Sequence, residues 1–301
     1  IKMKMYHKPV LKKEAINALS IKPEGLYVDA TFGGGGHSFE ILNNLGLTGK
    51  LFAFDQDNDS NVNKMNDSRF ILINNKFSNI KKYLKLYSVE KIDGVLADFG
   101  VSSHQLDTKS RGFSIKYNSR LDMRMNQNQP LDAYFIVNNY SEKKLTSIFL
   151  NYGELKRANI FSNVIVSKRK ESIIQTTFQL KSAISQLYSD KNKNKILSKV
   201  FQAIRIEVNN ELNEIKTFLK KSSDILNPGG RLVCISYHSL EDRLVKRFIK
   251  SGNFEGIPKK DFYGNLNKPL KGIGKLIVPS INEIKLNRRS RSAKLRIAEK
   301  I

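Results

Sequence analysis

One segment constrains the fold of this chain more than any other. It is a short apolar strand that ends on an acid and leads into four glycines. The segment reads Val28-Asp29-Ala30-Thr31-Phe32-Gly33-Gly34-Gly35-Gly36-His37. Glycine tolerates positive φ and lacks the Cβ that would hold a ligand away from the backbone, so the segment predicts a strand-to-helix turn that a nucleotide-like ligand can approach. Glycine turns also serve as plain structural corners, and this segment alone leaves both interpretations open.

Strand-like runs recur along the chain with helix-like stretches between them. Several are continuous apolar runs, as expected for parallel strands that are covered on both faces. The pattern predicts an α/β fold with a doubly wound parallel sheet. The runs cover residues 25–31, 50–55, 70–74, 92–98 and 230–237.

The alternation of strands and helices breaks after about residue 103 and resumes near residue 200. The stretch between is polar and helix-like, and we expect an inserted helical domain at 106–200, with 1–105 and 201–301 forming the sheet domain. Apolar residues at intervals of three and four predict a helix over 200–225. Asn227-Pro228-Gly229-Gly230 is expected to end it and lead into a strand.

The charge of the chain favours a polyanionic partner. The formal net charge is +24, from 52 Lys and Arg against 28 Asp and Glu. Residues 106–200 carry 17 basic and 7 acidic side chains, and residues 246–301 carry 15 and 4, so the remainder is nearly neutral. Two local basic segments on a neutral core are typical of proteins that bind nucleic acid.

Composition also narrows the class of protein. Cys234, the single cysteine, lies in an apolar run and is expected to be a buried strand thiol. The four histidines show no zinc-ligand spacing, so we expect no metal. No run is as apolar as a membrane span, and the Lys-rich start lacks the apolar core of a signal peptide. We therefore expect a cytoplasmic protein without a membrane partner.

Two further acids follow predicted strands. Asp55 ends the second strand, where nucleotide-binding α/β folds place an acid that accepts hydrogen bonds from ribose hydroxyls. Asp98 ends the fourth strand and is followed by a polar loop at the ligand-binding edge of the sheet. Nicotinamide dinucleotides and S-adenosylmethionine both suit these acids. The contiguous glycines followed by His37 depart from the dinucleotide fingerprint, which favours S-adenosylmethionine.

The chain resembles the MraW (RsmH) family of ribosomal RNA small subunit methyltransferases. The matching segments occur in family order along nearly the whole chain. They are His7-Lys8-Pro9-Val10-Leu11, residues 29–38 and 98–107, Arg111-Gly112-Phe113-Ser114, Leu121-Asp122-Met123-Arg124-Met125, Asn151-Tyr152-Gly153-Glu154, and residues 201–211, 228–246 and 288–296.

The resemblance implies a Rossmann-like class I methyltransferase sheet and S-adenosyl-L-methionine as cofactor. It also implies the residues that bind this cofactor: Gly35, Gly36, His37, Asp55, Phe77, Asp98 and Gln105. Each assignment is chemically reasonable, since carboxylates suit ribose hydroxyls or an ammonium group and Phe77 can pack on adenine. Phe77 could instead be a core residue, and Gln105 could cap its loop.

The resemblance further implies the substrate, which is the exocyclic N4 amine of a cytidine in the P-site region of bacterial 16S rRNA. The RNA would be recognised partly by the inserted domain, with Arg124 in its most distinctive segment, and the protein could form a homodimer. The departure from the family pattern lies in this domain, at Leu155-Lys156-Arg157-Ala158-Asn159. Whether naked rRNA or an assembled small subunit is the substrate stays open.

The expected reaction requires acceptors for the hydrogens of the amine, because its lone pair is delocalised into the ring. Asp98 is the first candidate and His238 the second. Arg288, Arg289 and Arg291 form a cluster that could bind phosphates, although a solvated basic tail would look the same. The rival functions are a nicotinamide-dependent oxidoreductase and a non-enzymatic RNA-binding module.

Overall fold

The sheet is built largely from the short apolar runs of the sequence. The computed structural model describes residues 9–264 and 266–301, so His7 and Lys8 of the first family segment lie outside the described residues. Within these ranges seven strands form one sheet: β1 (Leu26–Asp29), β2 (Lys50–Phe54), β3 (Phe70–Ile73), β4 (Ile92–Asp98), β5 (Leu226–Ser236), β6 (Leu270–Ile277) and β7 (Lys294–Lys300).

The order of the strands creates a ligand crevice at one edge of the sheet. The order is β3-β2-β1-β4-β5-β7-β6, in which β1 to β5 are parallel and β7 is antiparallel to both of its neighbours. The chain steps outward from β1 to β3 and then returns to β4, so the winding reverses between β1 and β4. Strand ends at such a reversal open a crevice for ligands. The predicted doubly wound α/β sheet is confirmed.

Helices connect the strands and also form a separate unit of the chain. The α-helices of the described residues are α1 (Lys12–Leu19), α2 (Gly36–Asn44), α3 (Ile80–Leu86), α4 (Ser103–Asp107), α5 (Ala133–Asn139), α6 (Glu142–Asn151), α7 (Ala158–Glu171), α8 (Thr177–Ala183), α9 (Lys193–Asn209), α10 (Glu211–Ile225), α11 (Ser239–Ser251) and α12 (Ile281–Leu286).

The chain divides into two compact units. The first unit runs to Gly100 and resumes at Leu212, so it holds the whole sheet, and the second unit is Val101–Glu211. The second unit is longer at both ends than the predicted segment 106–200. Residue 200 lies inside α9, whose Phe201, Ile204 and Val208 pack into the core of the second unit.

The sheet of the first unit is covered on both faces. One core cluster includes Ile80 of α3, Phe218 of α10 and Phe248 of α11. The cluster on the other face includes Ala15 of α1 and Ile41 of α2. Burial on both faces explains why the parallel strands read as apolar runs rather than as alternating patterns.

Buried polar side chains hold the second unit together around residues 121–125. The Asn209 side chain accepts a hydrogen bond from the Met125 amide (2.8 Å) and donates to the carbonyls of Met123 (2.8 Å) and Arg205 (2.9 Å). Arg111, also buried, donates to the carbonyls of Arg124 and Met125. The distinctive segment 121–125 is thus fixed mainly through its backbone.

Two strands were missed by the sequence analysis. β6 lies at the edge of the sheet and exposes most of its residues, and Lys and Gly interrupt its apolar positions. β7 alternates charged and apolar residues only over 294–297, and Ala298 next to Ile297 breaks the alternation. Both strands lie within the basic segment 246–301, whose charged residues interrupt the apolar runs that mark the other strands.

The predicted single helix over 200–225 was wrong. Asn210 has a φ of 53°, which is the left-handed conformation that commonly ends a helix, and it separates α9 from α10. One such residue barely disturbs the spacing of apolar positions, so periodicity did not reveal the break. β5 then starts at Leu226, and a bulge opposite β4 accommodates the predicted turn at Pro228.

Among the described residues, no helix is both long enough and apolar enough to cross a bilayer.

Replacing Asn209 with Ala should destabilise the protein by about 2–3 kcal/mol, because the buried Met125 amide and Met123 carbonyl lose their partner. Urea denaturation followed by circular dichroism measures this change. Asn139→Ala is the matched control, since Asn139 is exposed on α5, and it should change the unfolding free energy by less than about 0.5 kcal/mol. Equal effects of the two substitutions would contradict the proposed role of Asn209.

Candidate active site

The glycine turn places open backbone at the carboxyl end of β1. Gly33 and Gly35 have positive φ values of 51° and 76°, and Gly35 is the N-cap of α2. A Cβ on Gly34 would meet nothing within 4 Å, whereas a Cβ on Gly36 would lie 2.5 Å from Pro9 Cγ. The turn therefore faces free space at Gly34 and needs glycine at Gly36 for packing against Pro9.

Asp29, directly before this turn, is buried and holds it in shape. Its Oδ2 accepts a hydrogen bond from the Ser38 hydroxyl (2.6 Å), and its Oδ1 accepts one from the Thr31 amide (3.1 Å). Burial raises the pKa of this carboxyl above its usual value. Asp29 thus ties β1 to the first turn of α2.

Asp55 follows β2 and is joined to the glycine turn. Its Oδ2 accepts from the Gly33 amide and its Oδ1 from the Asp57 amide, both at 2.8 Å. Each oxygen keeps a second lone pair, so the carboxylate can accept two more hydrogen bonds from a diol. Burial raises the pKa of Asp55 to about 7.

Asp98 ends β4 and has one engaged and one accessible carboxylate oxygen. The Tyr237 hydroxyl donates to Oδ1 (2.8 Å), and the Asp98 amide donates to Thr31 Oγ1 (2.7 Å). The side chain is 21% exposed. Burial raises the pKa of Asp98 to about 7, although the hydrogen bond from Tyr237 acts in the opposite direction. Asp98 is therefore a carboxyl group that can gain or lose a proton near neutral pH.

His37 of α2 faces Asp98. Its Nε2 lies 3.1 Å from the Val10 carbonyl, which can only accept, so Nε2 carries the hydrogen. Burial lowers the pKa of His37, so the ring is neutral and Nδ1 is an acceptor. Nδ1 lies 4.0 Å from Asp98 Oδ2. The two atoms form an acceptor pair suited to an N–H donor between them.

Phe77 begins a short 3₁₀ turn after β3 and is partly buried. Its ring packs edge to face on Phe218 (centroids 5.3 Å apart) and lies 5.9 Å from Phe99, the residue after Asp98. Phe77 is thus part of the aromatic core and also lies beside the strand ends. These contacts support the core role, and packing of Phe77 on adenine stays a prediction.

His238, the second predicted acceptor, caps α11. Its Nδ1 accepts from the Glu241 amide (3.4 Å), and its Nε2 lies 3.1 Å from Glu241 Oε1. The buried Glu241 also accepts from the Tyr237 amide at 2.8 Å. The ring of His238 is therefore directed at Glu241, and Tyr237 lies between this pair and Asp98.

Two predicted residues lie in the second unit. Gln105 is buried in α4 and shares a capping box with Ser102, in which its Oε1 accepts from the Ser102 amide (3.0 Å). The guanidinium of Arg124 donates twice to Asp122 (both 2.8 Å) and once to the Gln129 carbonyl (2.8 Å). These contacts use three of the five N–H groups of the guanidinium and hold it against Asp122, and binding of RNA by Arg124 stays a prediction.

Arg288, Arg289 and Arg291 lie exposed on a 3₁₀ turn directly before β7. The pairing of β7 with β5 sets Lys294 opposite Ser236 at the carboxyl end of β5. The arginines therefore lie at the carboxyl ends of the parallel strands, as Tyr237 does. Arg296 differs, because its guanidinium donates to both carboxylate oxygens of Asp242, at 2.7 and 3.2 Å.

Tyr237 is the site residue that sequence reasoning missed. It follows β5, the neighbour of β4, so its position at a strand end was a usable signal. Its hydroxyl orients Asp98, and burial beside Asp98 raises its own pKa well above the usual value, so it stays a donor.

A glycine turn and acids at the ends of β2 and β4 define an enzyme of the nucleotide-cofactor class. Comparison with known sequences gives the particular family: the model of the MraW methylase family matches residues 4–301. The chain is 56% identical to the ribosomal RNA small subunit methyltransferase H of Flavobacterium johnsoniae, over 98% of both chains. It is 54% identical to the protein of that name from Christiangramia forsetii, again over 98% of both. The chain belongs to the MraW methylase family.

S-adenosylmethionine is therefore the cofactor, and the residues of the first unit fit it. Asp55 retains lone pairs for the ribose hydroxyls, Phe77 offers an aromatic ring, and the turn at Gly34 leaves room beside the backbone. The Asp98 and His37 acceptor pair suits an amine or ammonium group. Membership of a methylase family rules out the alternative of a nicotinamide-dependent oxidoreductase.

Replacing Asp98 with Asn should stabilise the ligand-free protein at pH 8. The pKa of Asp98 is about 7 in the folded protein and near 4 in the unfolded chain. Ionisation of Asp98 therefore lowers the unfolding free energy progressively as the pH rises from about 4 to 7, and this loss of stability stays constant above pH 7. The amide side chain of the variant could keep the Tyr237 hydrogen bond without carrying a charge. The gain in unfolding free energy should grow by up to about 1.4 kcal/mol per pH unit between pH 5 and 7.

Thermal unfolding at pH 5 and pH 8 measures this effect. Asp242→Asn is the control of opposite sign: burial acts to raise the pKa of Asp242, but Arg296 and Lys294 lower it below its usual value. That substitution should destabilise the protein at both pH values. A lower Tm of Asp98→Asn than of the wild type at pH 8 would contradict the buried, costly charge.

Proposed function

We propose that this protein transfers a methyl group from S-adenosylmethionine to the N4 amine of a cytidine in the P-site region of 16S rRNA. The relatives that match nearly the whole chain are named for the RNA of the small ribosomal subunit. Under this proposal the partner is 16S rRNA, within the assembling small subunit, and the reaction takes place in the cytoplasm.

One observation carries the proposal: an amine-binding acceptor pair and a cluster of exposed arginines lie at one edge of the sheet. Asp98 Oδ2 and His37 Nδ1 lie at the ends of the parallel strands. The register of β7 on β5 brings the 3₁₀ turn with Arg288 to the same edge. A nucleobase amine could thus lie beside the pair while guanidinium groups bind its phosphates.

The chemistry of a cytosine amine explains why a carboxyl with a pKa near 7 is useful. When bound, S-adenosylmethionine supplies a methyl group on a positively charged sulfur. Asp98 Oδ2 would accept a hydrogen bond from the amine, which keeps its nitrogen oriented for in-line attack. Transfer of the methyl group to the nitrogen would break its bond to sulfur and leave the electron pair of that bond on the sulfur. The nitrogen would then carry one surplus proton, which Asp98 in its ionised form could take.

Tyr237 and His238 would act through Asp98 rather than on the base. The Tyr237 hydroxyl fixes Oδ1 and leaves Oδ2 free to turn to the amine. Glu241 binds the Tyr237 amide and faces His238, so this pair holds the strand end in place. We therefore assign His238 a positioning role. The cytosine must leave its stack to reach Asp98, as is usual for enzymes that modify bases.

Wild-type protein should transfer labelled methyl groups to small ribosomal subunits that lack this modification. Nucleoside analysis by mass spectrometry should identify N4-methylcytidine at one position of 16S rRNA. Asp98→Asn should lower the single-turnover rate by about 10²–10⁴-fold with little change in cofactor affinity. The wild-type rate should fall toward tenfold per pH unit below the pKa of Asp98, because Asp98 must be ionised, and the positively charged cofactor should place this pKa below the value of about 7 in the ligand-free protein. Asp224→Asn, which alters an exposed carboxyl on α10, should match the wild type.

Three other results would contradict this assignment. No transfer to any ribosomal substrate would favour the RNA-binding module. Methylation of ribose or of a carbon atom would exclude amine chemistry. Weaker cofactor binding with an unchanged single-turnover rate would make Asp98 a ligand of the cofactor ammonium group alone.

Replacing Arg288, Arg289 and Arg291 together with Gln should flatten the salt dependence of rRNA binding. Each lost phosphate contact removes about 0.7–0.9 from the slope of log affinity against log salt, so a decrease of about 2 is expected. Filter binding between 50 and 200 mM salt measures the slope. The matched control replaces Lys81, Lys82 and Lys85 on α3. An unchanged slope in the arginine variant would identify the cluster as a solvated basic tail.

A further inference from the structure

A second basic surface lies on the outer side of α11 and is not part of the site at the strand ends. Arg243, Lys246, Arg247 and Lys250 recur at intervals of three and four, so they share one side of the helix. All four are exposed, whereas the opposite side of α11 is buried in the core. We call these four residues the basic stripe.

The basic stripe borders a concave surface rather than a flat one. Together with Glu255 and Gly256 it lines a concavity of about 340 Å³. Gly256 has a φ of 79°, and a Cβ there would come within 3.0 Å of Arg247 Cγ. Glycine thus lets the Arg247 side chain lie along the loop, where Nη1 donates to the Phe254 carbonyl at 3.1 Å.

Two aromatic residues are presented beyond this concavity on a tight turn. Lys260 pairs with Leu266, and Asp261 accepts hydrogen bonds from the Tyr263 amide (2.9 Å) and the Gly264 amide (3.1 Å). Phe262 is 98% exposed and Tyr263 is 86% exposed. Their rings contact each other edge to face, with centroids 5.7 Å apart. We call Phe262 and Tyr263 the aromatic tip.

The charge around the aromatic tip favours an RNA strand over a protein partner. Residues 243–275 contain nine Lys and Arg but only two acids, Glu255 and Asp261. A second copy of this chain would bring a net charge of +24 against this surface. Exposed aromatic rings among lysines are the usual platform for single-stranded nucleic acid, because bases stack on the rings while cations bind the phosphates.

The surface lies away from the edge where methyl transfer is proposed. α11 starts next to the carboxyl end of β5, and at a rise of about 1.5 Å per residue its positions 246–250 lie about 10–17 Å along the axis from Ser239. Arg243 is the stripe residue nearest to the site, at about 6 Å along the axis. The aromatic tip precedes β6, whose first residue pairs with Lys300 at the last position of β7. Lys294, at the other end of β7, is the residue that lies beside the carboxyl end of β5. A contact here would bind a different part of a large RNA from the part that holds the target base.

We propose that the basic stripe and the aromatic tip form a second RNA-binding surface that holds an unpaired strand, with phosphates on the stripe and bases on the tip. This inference rests on the proposed rRNA substrate and adds a contact remote from the target base. The surface would raise the affinity for RNA and leave the methyl-transfer step itself unaffected.

The first test measures the affinity for a fluorescein-labelled single strand of twelve uridines and for a twelve-base-pair RNA duplex, by anisotropy between 50 and 200 mM salt. Lys246→Gln with Lys250→Gln should weaken binding of the strand and reduce its salt slope by about 1.4. Phe262→Ala with Tyr263→Ala should weaken it at least about fivefold at an unchanged slope, since stacking releases no counterions. The aromatic variant should bind the duplex like the wild type.

Lys82→Gln with Lys85→Gln is the matched control, because it removes the same charge from exposed positions on α3. Cofactor affinity and Tm should equal those of the wild type in all three variants, since every substituted side chain is exposed. With small ribosomal subunits as substrate, the stripe and tip variants should raise KM several-fold and keep kcat.

The proposal is overturned if both variants bind the strand as tightly as the lysine control does. It is also overturned if the aromatic variant changes the sedimentation coefficient and not the RNA affinity, because the tip would then serve self-association. Failure of the proposed function looks different: the wild type would bind the strand through this surface yet form no N4-methylcytidine.

Discussion

The burial of Asp98 at the end of β4 is the constraint on which the rest of the site depends. A carboxylate that is largely shielded from water is costly unless fixed donors face it, and Tyr237 supplies one such donor, to Oδ1. Tyr237 is itself held by Glu241 through its amide, and Thr31 accepts from the Asp98 amide. Because these contacts come from β1, β4 and β5, the strand order at the centre of the sheet is a requirement of the site.

The sequence predicts those elements of the fold whose residue pattern is set by their immediate surroundings. Strands buried on both faces need continuous apolar residues, and a crossover to α2 needs glycine, so β1 to β4 could be recognised nearly to the residue. The edge strand β6 exposes most of its residues, and β7 mixes charged with apolar residues, so neither is a continuous apolar run. Asn210 ended a helix through one left-handed residue, which leaves the apolar periodicity almost unchanged.

The positions of candidate site residues were predictable where the fold decides them, as for Asp55 and Asp98 at strand ends. The site was less predictable where a side chain's partner decides the role. Arg124 has the residue type of an RNA contact, but Asp122 binds its guanidinium through both oxygens. Tyr237 looked like the end of an apolar run, and only the pairing of β4 with β5 brings its hydroxyl to Asp98.

The distribution of positive charge is compatible with the proposed role of Asp98 as a proton acceptor, because no cation among the described residues lowers its pKa in the ligand-free protein. A cation close to this carboxyl would lower its pKa, and it would then accept a proton poorly near neutral pH. Arg296 lies on β7, two strands from β4, and Asp242 takes its guanidinium in two hydrogen bonds. The arginines before β7 and the basic stripe on α11 are exposed to solvent, which screens them. A strongly basic protein can thus attract RNA and still keep a carboxyl group whose pKa stays near 7.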